Sequence, residues 1–219
     1  MTANSQVVAT GDQHAYVDPS LHDARGGISN PVLGMILFIC SEVMFFSGLF
    51  AAYFATRAAS PSWPFLAASN TEQGKLLNEH FNLHAEPWFA LALTIILISS
   101  SVTCQLGIWA IRRDDRTGFI RSFGVTLVLG ILFLVGQIYD YSTIGFGISD
   151  TPFGTTFYTL TGFHGAHVFG GAVMLSVILY RGLAGQFSSR HHDAVEATSL
   201  YWHFVDVVWI ALFSTLYIL

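Results

Sequence analysis

Five apolar runs, each long enough to cross a hydrocarbon layer, leave this chain few folds to choose from. They are about Val32–Thr56, Pro87–Ile111, Phe119–Tyr141, Thr155–Tyr180 and Glu196–Leu219, and a bilayer core takes roughly 20 helical residues. Within a bilayer the chain must satisfy its own backbone N–H and C=O groups, so only helices and closed barrels span. The alternation that marks membrane strands is absent. The expectation is an all-α fold, a polytopic membrane bundle of five transmembrane helices over residues 32–219. Residues 1–31 are polar and weakly acidic and lack an apolar core, which favours a flexible tail over a cleavable signal peptide. The one sizeable loop is Arg57–Glu86, so no soluble catalytic domain fits in what remains.

Composition agrees with this reading and excludes other classes. Of 219 residues, 53% are hydrophobic and only 11% charged, with mean hydropathy +0.54, values of an integral membrane protein. The net charge of −5 is spread along the chain, with no basic block for nucleic acid. Cys40 and Cys104 sit in apolar runs without a C-x-x-C companion, so neither a disulfide framework nor a zinc site is indicated. Arg25, Arg112, Arg113, Arg116, Arg121, Arg181 and Arg190 fall on one side of the expected bundle; Arg57 and Lys75 fall on the other. The positive-inside rule then places the N-terminus in the cytoplasm and the C-terminus outside.

Ionisable residues inside the spans are the candidate functional groups, because charge at membrane depth is costly and has to find protein or water. The last run opens Glu196-Ala-Thr-Ser-Leu-Tyr-Trp-His-Phe-Val-Asp-Val-Val-Trp209. Helical spacing puts Glu196, His203 and Asp206 on one face. This stripe suits a helix-packing network, and a proton path or cofactor ligand remains open. Glu42 sits mid-span between Phe38 and Phe45–Phe46 and should be protonated or paired. Its roles are a proton site, a tie to a neighbouring helix, or a group beside a bound lipid. Ser99-Ser-Ser-Val-Thr-Cys-Gln105 favours close helix approach. Gln137-Ile-Tyr-Asp-Tyr141 reads as an interfacial boundary with a hydrogen-bonded cap.

In the fourth run Gly162, Ala166 and Gly170 recur every four residues, a ridge on which another helix can press. His164 and His167 lie one turn apart beside it. An H-x-x-H pair without a nearby third ligand is a poor metal site, and two histidines of one helix cannot be opposed axial ligands of one haem. Polar groups on other helices, the Glu196–His203–Asp206 stripe among them, are the expected partners. Arg181 and the Arg190-His-His192 loop form a basic cluster placed for an anionic lipid head group.

Leu33–Phe46, Ile148-Ser-Asp150, Gly154-Thr-Thr-Phe157, Thr161-Gly-Phe-His-Gly-Ala-His-Val168 and the Glu196–Trp209 segment, in this order, resemble subunit III of the haem–copper oxidases, the cytochrome c oxidase branch above all. The resemblance runs from about Val32 to the C-terminus. It implies the shorter, five-helix bacterial form of a usually seven-helix fold, in the bacterial cell membrane. It implies no catalytic residue, cofactor or metal in this chain: the haem and copper belong to partner subunits I and II. The role it implies is to pack on subunit I and support its stability and proton uptake, in a complex that passes electrons from cytochrome c to O2 and pumps protons. Membership of a larger respiratory supercomplex is compatible with it.

By position, Glu42 matches the family's intramembrane carboxylate, Arg181 and His191 match lipid-phosphate contacts, and His164, His167, Glu196, His203 and Asp206 match an inter-helix polar network. Phospholipids are therefore expected partners. Two departures stand out: Val32 replaces a basic residue, and Asp140 replaces the commoner Glu. The alternatives are subunit III of a quinol oxidase, which tends to carry Asp at position 42, a stand-alone proton-coupled transporter, and a haem-bearing membrane cytochrome using His164 and His203. Against the transporter, the chain shows no inverted repeat and no paired broken helices.

Overall fold

The computed structural model describes residues 28–60, 63, 87–144 and 146–218. Most of the expected tail and of the Arg57–Glu86 loop lie outside the described residues. The described chain forms five long helices: α1 (Asn30–Ala59), α2 (Pro87–Arg112), α3 (Arg116–Thr143), α4 (Pro152–Leu183) and α5 (Asp193–Phe213). A π-helical turn, Ser214–Ile218, prolongs α5. All five are long and apolar enough to cross a membrane, as the run lengths require.

α3 and α4 begin earlier than their apolar runs because their caps are polar. Asp115 accepts the Gly118 N–H at 2.9 Å to start α3, and Thr151 Oγ1 accepts the Gly154 N–H at 2.9 Å to start α4. Each supplies an acceptor to a first-turn donor that has no intrahelical partner. Pro31 and Pro152 occupy first-turn positions, where a missing N–H costs nothing. At the other end of α4, Arg116 donates from Nε to the Gly182 carbonyl at 3.2 Å and from Nη2 to that of Leu183. Chain entry into α3 is thereby fixed to the exit of α4.

Helices α2 to α5 form the body of the bundle, with α5 packed on α2 and α4, α3 across from it, and α1 laid on α4 and α5. A tight seam surrounds Trp202, which is fully buried. A Cβ on Gly130 of α3 would come within 2.5 Å of its ring, and one on Gly171 of α4 within 2.8 Å. Glycine at both places is what admits an indole between three helices. The expected ridge is elsewhere: Gly162 and Ala166 are exposed, and nothing lies within 4 Å of a Cβ on Gly162. Within the chain Val168, Gly171 and Leu175 set the buried side of α4, and of the expected ridge Gly170 meets Tyr201 of α5.

Candidate functional site: the intramembrane polar clusters

The ionisable residues separate into distinct clusters, and the deepest on the α1 side joins Glu42 to His167. Glu42 Oε2 and His167 Nε2 are 2.9 Å apart, and the two side chains are only 18% and 16% exposed. His167 Nδ1 lies 2.6 Å from the Phe163 carbonyl, which can only accept, so Nδ1 carries a proton. The shared Nε2–Oε2 contact therefore holds either a neutral acid donating to a neutral ring or a carboxylate facing an imidazolium. Phe46 meets the imidazole edge-on at 5.0 Å and Phe45 stacks at 6.3 Å. From α5, the Tyr201 hydroxyl donates to the His167 carbonyl at 3.1 Å. Three helices meet at this one histidine.

On the opposite side of α5, His203 Nδ1 contacts Ser101 Oγ of α2 at 2.6 Å. Asp206 is 4% exposed, and neither carboxylate oxygen has a hydrogen-bond partner among the described residues. His203 Nε2 is likewise buried and unpartnered. Around them α2 presents a column of small polar groups. Trp202 Nε1 donates to Ser100 Oγ at 3.0 Å and Trp209 Nε1 to Thr94 Oγ1 at 3.0 Å, and Cys104 Sγ approaches Ser199 Oγ at 3.4 Å. On the far side of α2, Thr103 Oγ1 meets Thr126 Oγ1 of α3 at 2.8 Å. The hydroxyl-rich run of α2 thus ties it to two neighbours, as short side chains of this type do.

Glu196 stands apart from both. At the arginine-rich end, its Oε1 accepts from Arg112 Nη2 at 2.7 Å and Nε at 3.2 Å, and lies 3.2 Å from His192 Nε2. Just outside the spans, Asp114 takes φ 57°, a left-handed conformation that Asp tolerates better than most residues. It accepts the Ser189 N–H at 2.8 Å and the Ser189 hydroxyl at 2.7 Å. These bonds, with a smaller contribution from Arg190, hold its carboxyl below the ordinary value. Arg181, at the end of α4, donates from Nε to Gln186 Oε1 at 2.8 Å and lies 4.8 Å over the Phe187 ring. His191 is exposed in the same loop, where its N–H donates to the Ser188 carbonyl at 3.1 Å.

The expected meeting of His164 and His167 with the Glu196–His203–Asp206 stripe does not occur. His167 pairs with Glu42. His164 is fully buried, has no hydrogen bond at either ring nitrogen among the described residues, and stacks on Trp209 at 5.0 Å with Phe133 edge-on. Glu196 and His203 share a face but lie two turns apart, so their shared side does not make one cluster. Sequence reasoning missed Arg112 as the partner of Glu196, Ser101 as that of His203, and the tie from α3 to α4. In that tie Gln137 Nε2 donates to the Thr161 carbonyl at 2.9 Å, and the Tyr141 hydroxyl to Thr161 Oγ1 at 2.7 Å. The Gln137–Tyr141 segment lies at the end of α3, as expected, and buried Gln137 also holds two helices together. Among the described residues no group of three His, Cys, Asp or Glu side chains could hold a metal ion.

Comparison with known proteins gives these clusters a context. Residues 24–219 match the family model described as cytochrome c oxidase subunit III. The chain is 37% identical over 219 residues to "Cytochrome c oxidase subunit 3" of Thermostichus vulcanus, covering 100% of this chain and 97% of the relative. It is 44% identical over 191 residues to the protein of that name from Corynebacterium diphtheriae, covering 84% and 86%. The Synechocystis protein is 40% identical over 205 residues, covering 93% and 82%.

Proposed function

We propose, from the premise that the chain belongs to the cytochrome c oxidase subunit III family, that it is a non-catalytic, five-helix subunit of a respiratory terminal oxidase. In this reading it packs on subunit I, and the redox work is done by the haem and copper of subunits I and II. Electrons come from cytochrome c, and the chain supports subunit I stability, proton uptake and lipid retention. It lies in a bacterial cell membrane with its arginine-rich end in the cytoplasm, which the Lys/Arg placement favours.

The observation that carries this reading is the Glu42–His167 pair at the contact of α1 and α4. Both groups that could move a proton or ligate a metal are spent on each other, and His167 is bound at its second nitrogen as well. Such an arrangement pins helices together, as polar groups in membranes commonly do. The lipid role draws on Arg181, whose terminal nitrogens make no hydrogen bond to a described residue while Gln186 and Phe187 hold the guanidinium in place. An ordered guanidinium at a helix end is suited to a phosphate.

A mild-detergent pull-down on a tagged chain tests the assignment. A haem–copper subunit with a-type haem and cytochrome c oxidation should co-purify. A chain that came down alone and colourless would return the transporter reading, and one alone with a haem spectrum would make ligands of its histidines. Arg181→Ala should lower the amount of phospholipid retained by the complex in native mass spectrometry. Unchanged lipid would remove Arg181 from the lipid role.

A further inference from the structure

Three polar side chains along the seam between α2 and α5 carry bonding groups that no described residue meets. Asp206 is 4% exposed, and neither of its carboxylate oxygens has a hydrogen-bond partner. His203 lies three residues earlier, on the same side of α5. Its ring is held at Nδ1 by Ser101 Oγ, 2.6 Å away, while Nε2 is buried and unpartnered. Half-buried Gln105 of α2 makes no hydrogen bond to a described residue either. Ionisable groups at membrane depth are kept against protein or water, and a buried one left unbonded carries a large free-energy penalty.

A route for water leads to them. A groove of about 150 Å³ opens between the two helices, and its lining is polar along its whole depth, from Arg112 and Glu196 past Gln105 and Ser199 to His203. Seven helical residues, about 10 Å, separate Glu196 from His203, and Asp206 is one turn further in. A water takes about 30 Å³ of the liquid and makes two to four bonds when buried, so the groove holds several. An acyl chain would leave the same polar lining unbonded. Past Asp206 the seam closes. Leu97 and Trp209 are buried there, and Trp209 Nε1 donates to Thr94 Oγ1 at 3.0 Å, so the polar groups of the next turn satisfy each other.

We propose that a short file of water molecules enters this groove from the arginine-rich end, bridges His203 Nε2 to the Asp206 carboxyl and stops there. Asp206 then exchanges protons with one side of the membrane only. Water both donates and accepts, so the bridge forms with either ring tautomer and with the carboxyl as acid or carboxylate. A proton that leaves Asp206 passes to the bridging water, and another returns along the same file. The closed far end makes this a blind well and not a path through the chain. It also explains how α5 keeps a buried acid with no protein partner. The inference goes beyond the oxidase reading and does not rest on it, because every readout of its test is at the seam itself.

The first test is a cryo-EM map of the purified complex in lipid nanodiscs, at a resolution that shows ordered water, for the unaltered chain, Asp206→Asn and Asp206→Leu. The unaltered chain should show a solvent peak within hydrogen-bond distance of both Asp206 and His203 Nε2, joined to the groove by further peaks. Asp206→Asn should keep the bridging peak and Asp206→Leu should lose it. The route is read separately, by X-ray pulse oxidation in heavy-oxygen water with mass spectrometry, which marks side chains beside exchangeable bound water. His203 should take up the heavy oxygen. Leu200→Trp and Gln105→Phe, which fill the groove from opposite helices, should each slow that uptake several-fold in assembled complex. A seam without solvent peaks in a map that shows water elsewhere, acyl-chain density in the groove, or uptake that neither plug slows would each overturn the proposal.

Discussion

Helices α1 and α5 are both apolar spans, yet their relations to the rest of the protein are nearly opposite. The most apolar stretch of α1 has mean hydropathy 2.1 and is 6% buried within the chain; that of α5 has 1.3 and is 50% buried. In water the more apolar helix would be the better buried. Here the order reverses, because lipid tails solvate Leu37 and Met44 of α1 as well as protein would. What drives α5 inward is what lipid cannot satisfy, namely indole N–H groups, a carboxyl, an imidazole and hydroxyls. Protein–protein contact is marked in this bundle by polar and aromatic residues, and apolarity alone marks lipid.

Opposite substitutions on the two helices should break or confirm that contrast most strongly. Trp202→Ala empties the space between Gly130 and Gly171 and strands Ser100, so it should cost about 3–5 kcal/mol. Met44→Ala, at a residue 77% exposed, should stay within about 0.5 kcal/mol. Thermal unfolding of the complex in mild detergent separates them. Equal effects would mean that a partner subunit covers α1 as fully as the bundle covers α5.

His203→Leu comes next. It removes the partner of Ser101, so it should reduce assembled complex more than turnover per assembled complex. The loss of a buried hydrogen bond with an acceptor left over is worth about 1–3 kcal/mol. A variant that assembles fully but turns over slowly would give α5 a functional polar face in place of a structural one.

At α1 the same chemistry should matter less, and in a way that depends on the substitute. Glu42→Gln can still hydrogen-bond to His167 Nε2, by its amide N–H to a neutral ring or its amide oxygen to an imidazolium, and should leave haem content and oxygen reduction nearly unchanged. Glu42→Leu cannot, and should loosen α1 by about 1–2 kcal/mol, the cost of one unpaired buried ring nitrogen. The two variants together distinguish a hydrogen bond from a charge. Loss of oxygen reduction in Glu42→Gln, with normal assembly, would mean that the carboxyl itself carries a proton.

Spans were legible in the sequence because bilayer thickness dictates a run length, and five runs of that length survive any choice of packing. Their ends were displaced by a few residues because Asp115 and Thr151 are polar yet belong to the helices they cap. Helix phase was legible too, which is why Glu196, His203 and Asp206 were placed on one side. Pairing was not. Glu42 and His167 are 125 residues apart, and Arg112 and Glu196 84 apart. No local pattern specifies which of several polar residues meets which across a bundle. Glycine packing is a related case: a four-residue repeat says that a helix can approach, while within the chain Trp202 decided which glycines were needed.

The smallest predicted effect lies at the surface and follows from Asp114. Its carboxyl is held below the ordinary value by the Ser189 hydroxyl and N–H, with a further contribution from Arg190. A group whose folded value is lowered contributes its full stabilisation above the unfolded value, about 3.9 for Asp, and loses it as pH falls through the folded value. Amide exchange at Ser189, corrected for its intrinsic pH dependence, should therefore be flat from neutral pH down to about 5 and rise only below about 4. Asp114→Asn keeps one acceptor oxygen and tolerates the left-handed backbone, so it should lose part of the protection at neutral pH and the acid step altogether. An acid step that survived in Asp114→Asn would have to come from another group, which would separate the anchorage of the α4–α5 loop from the α2–α3 turn.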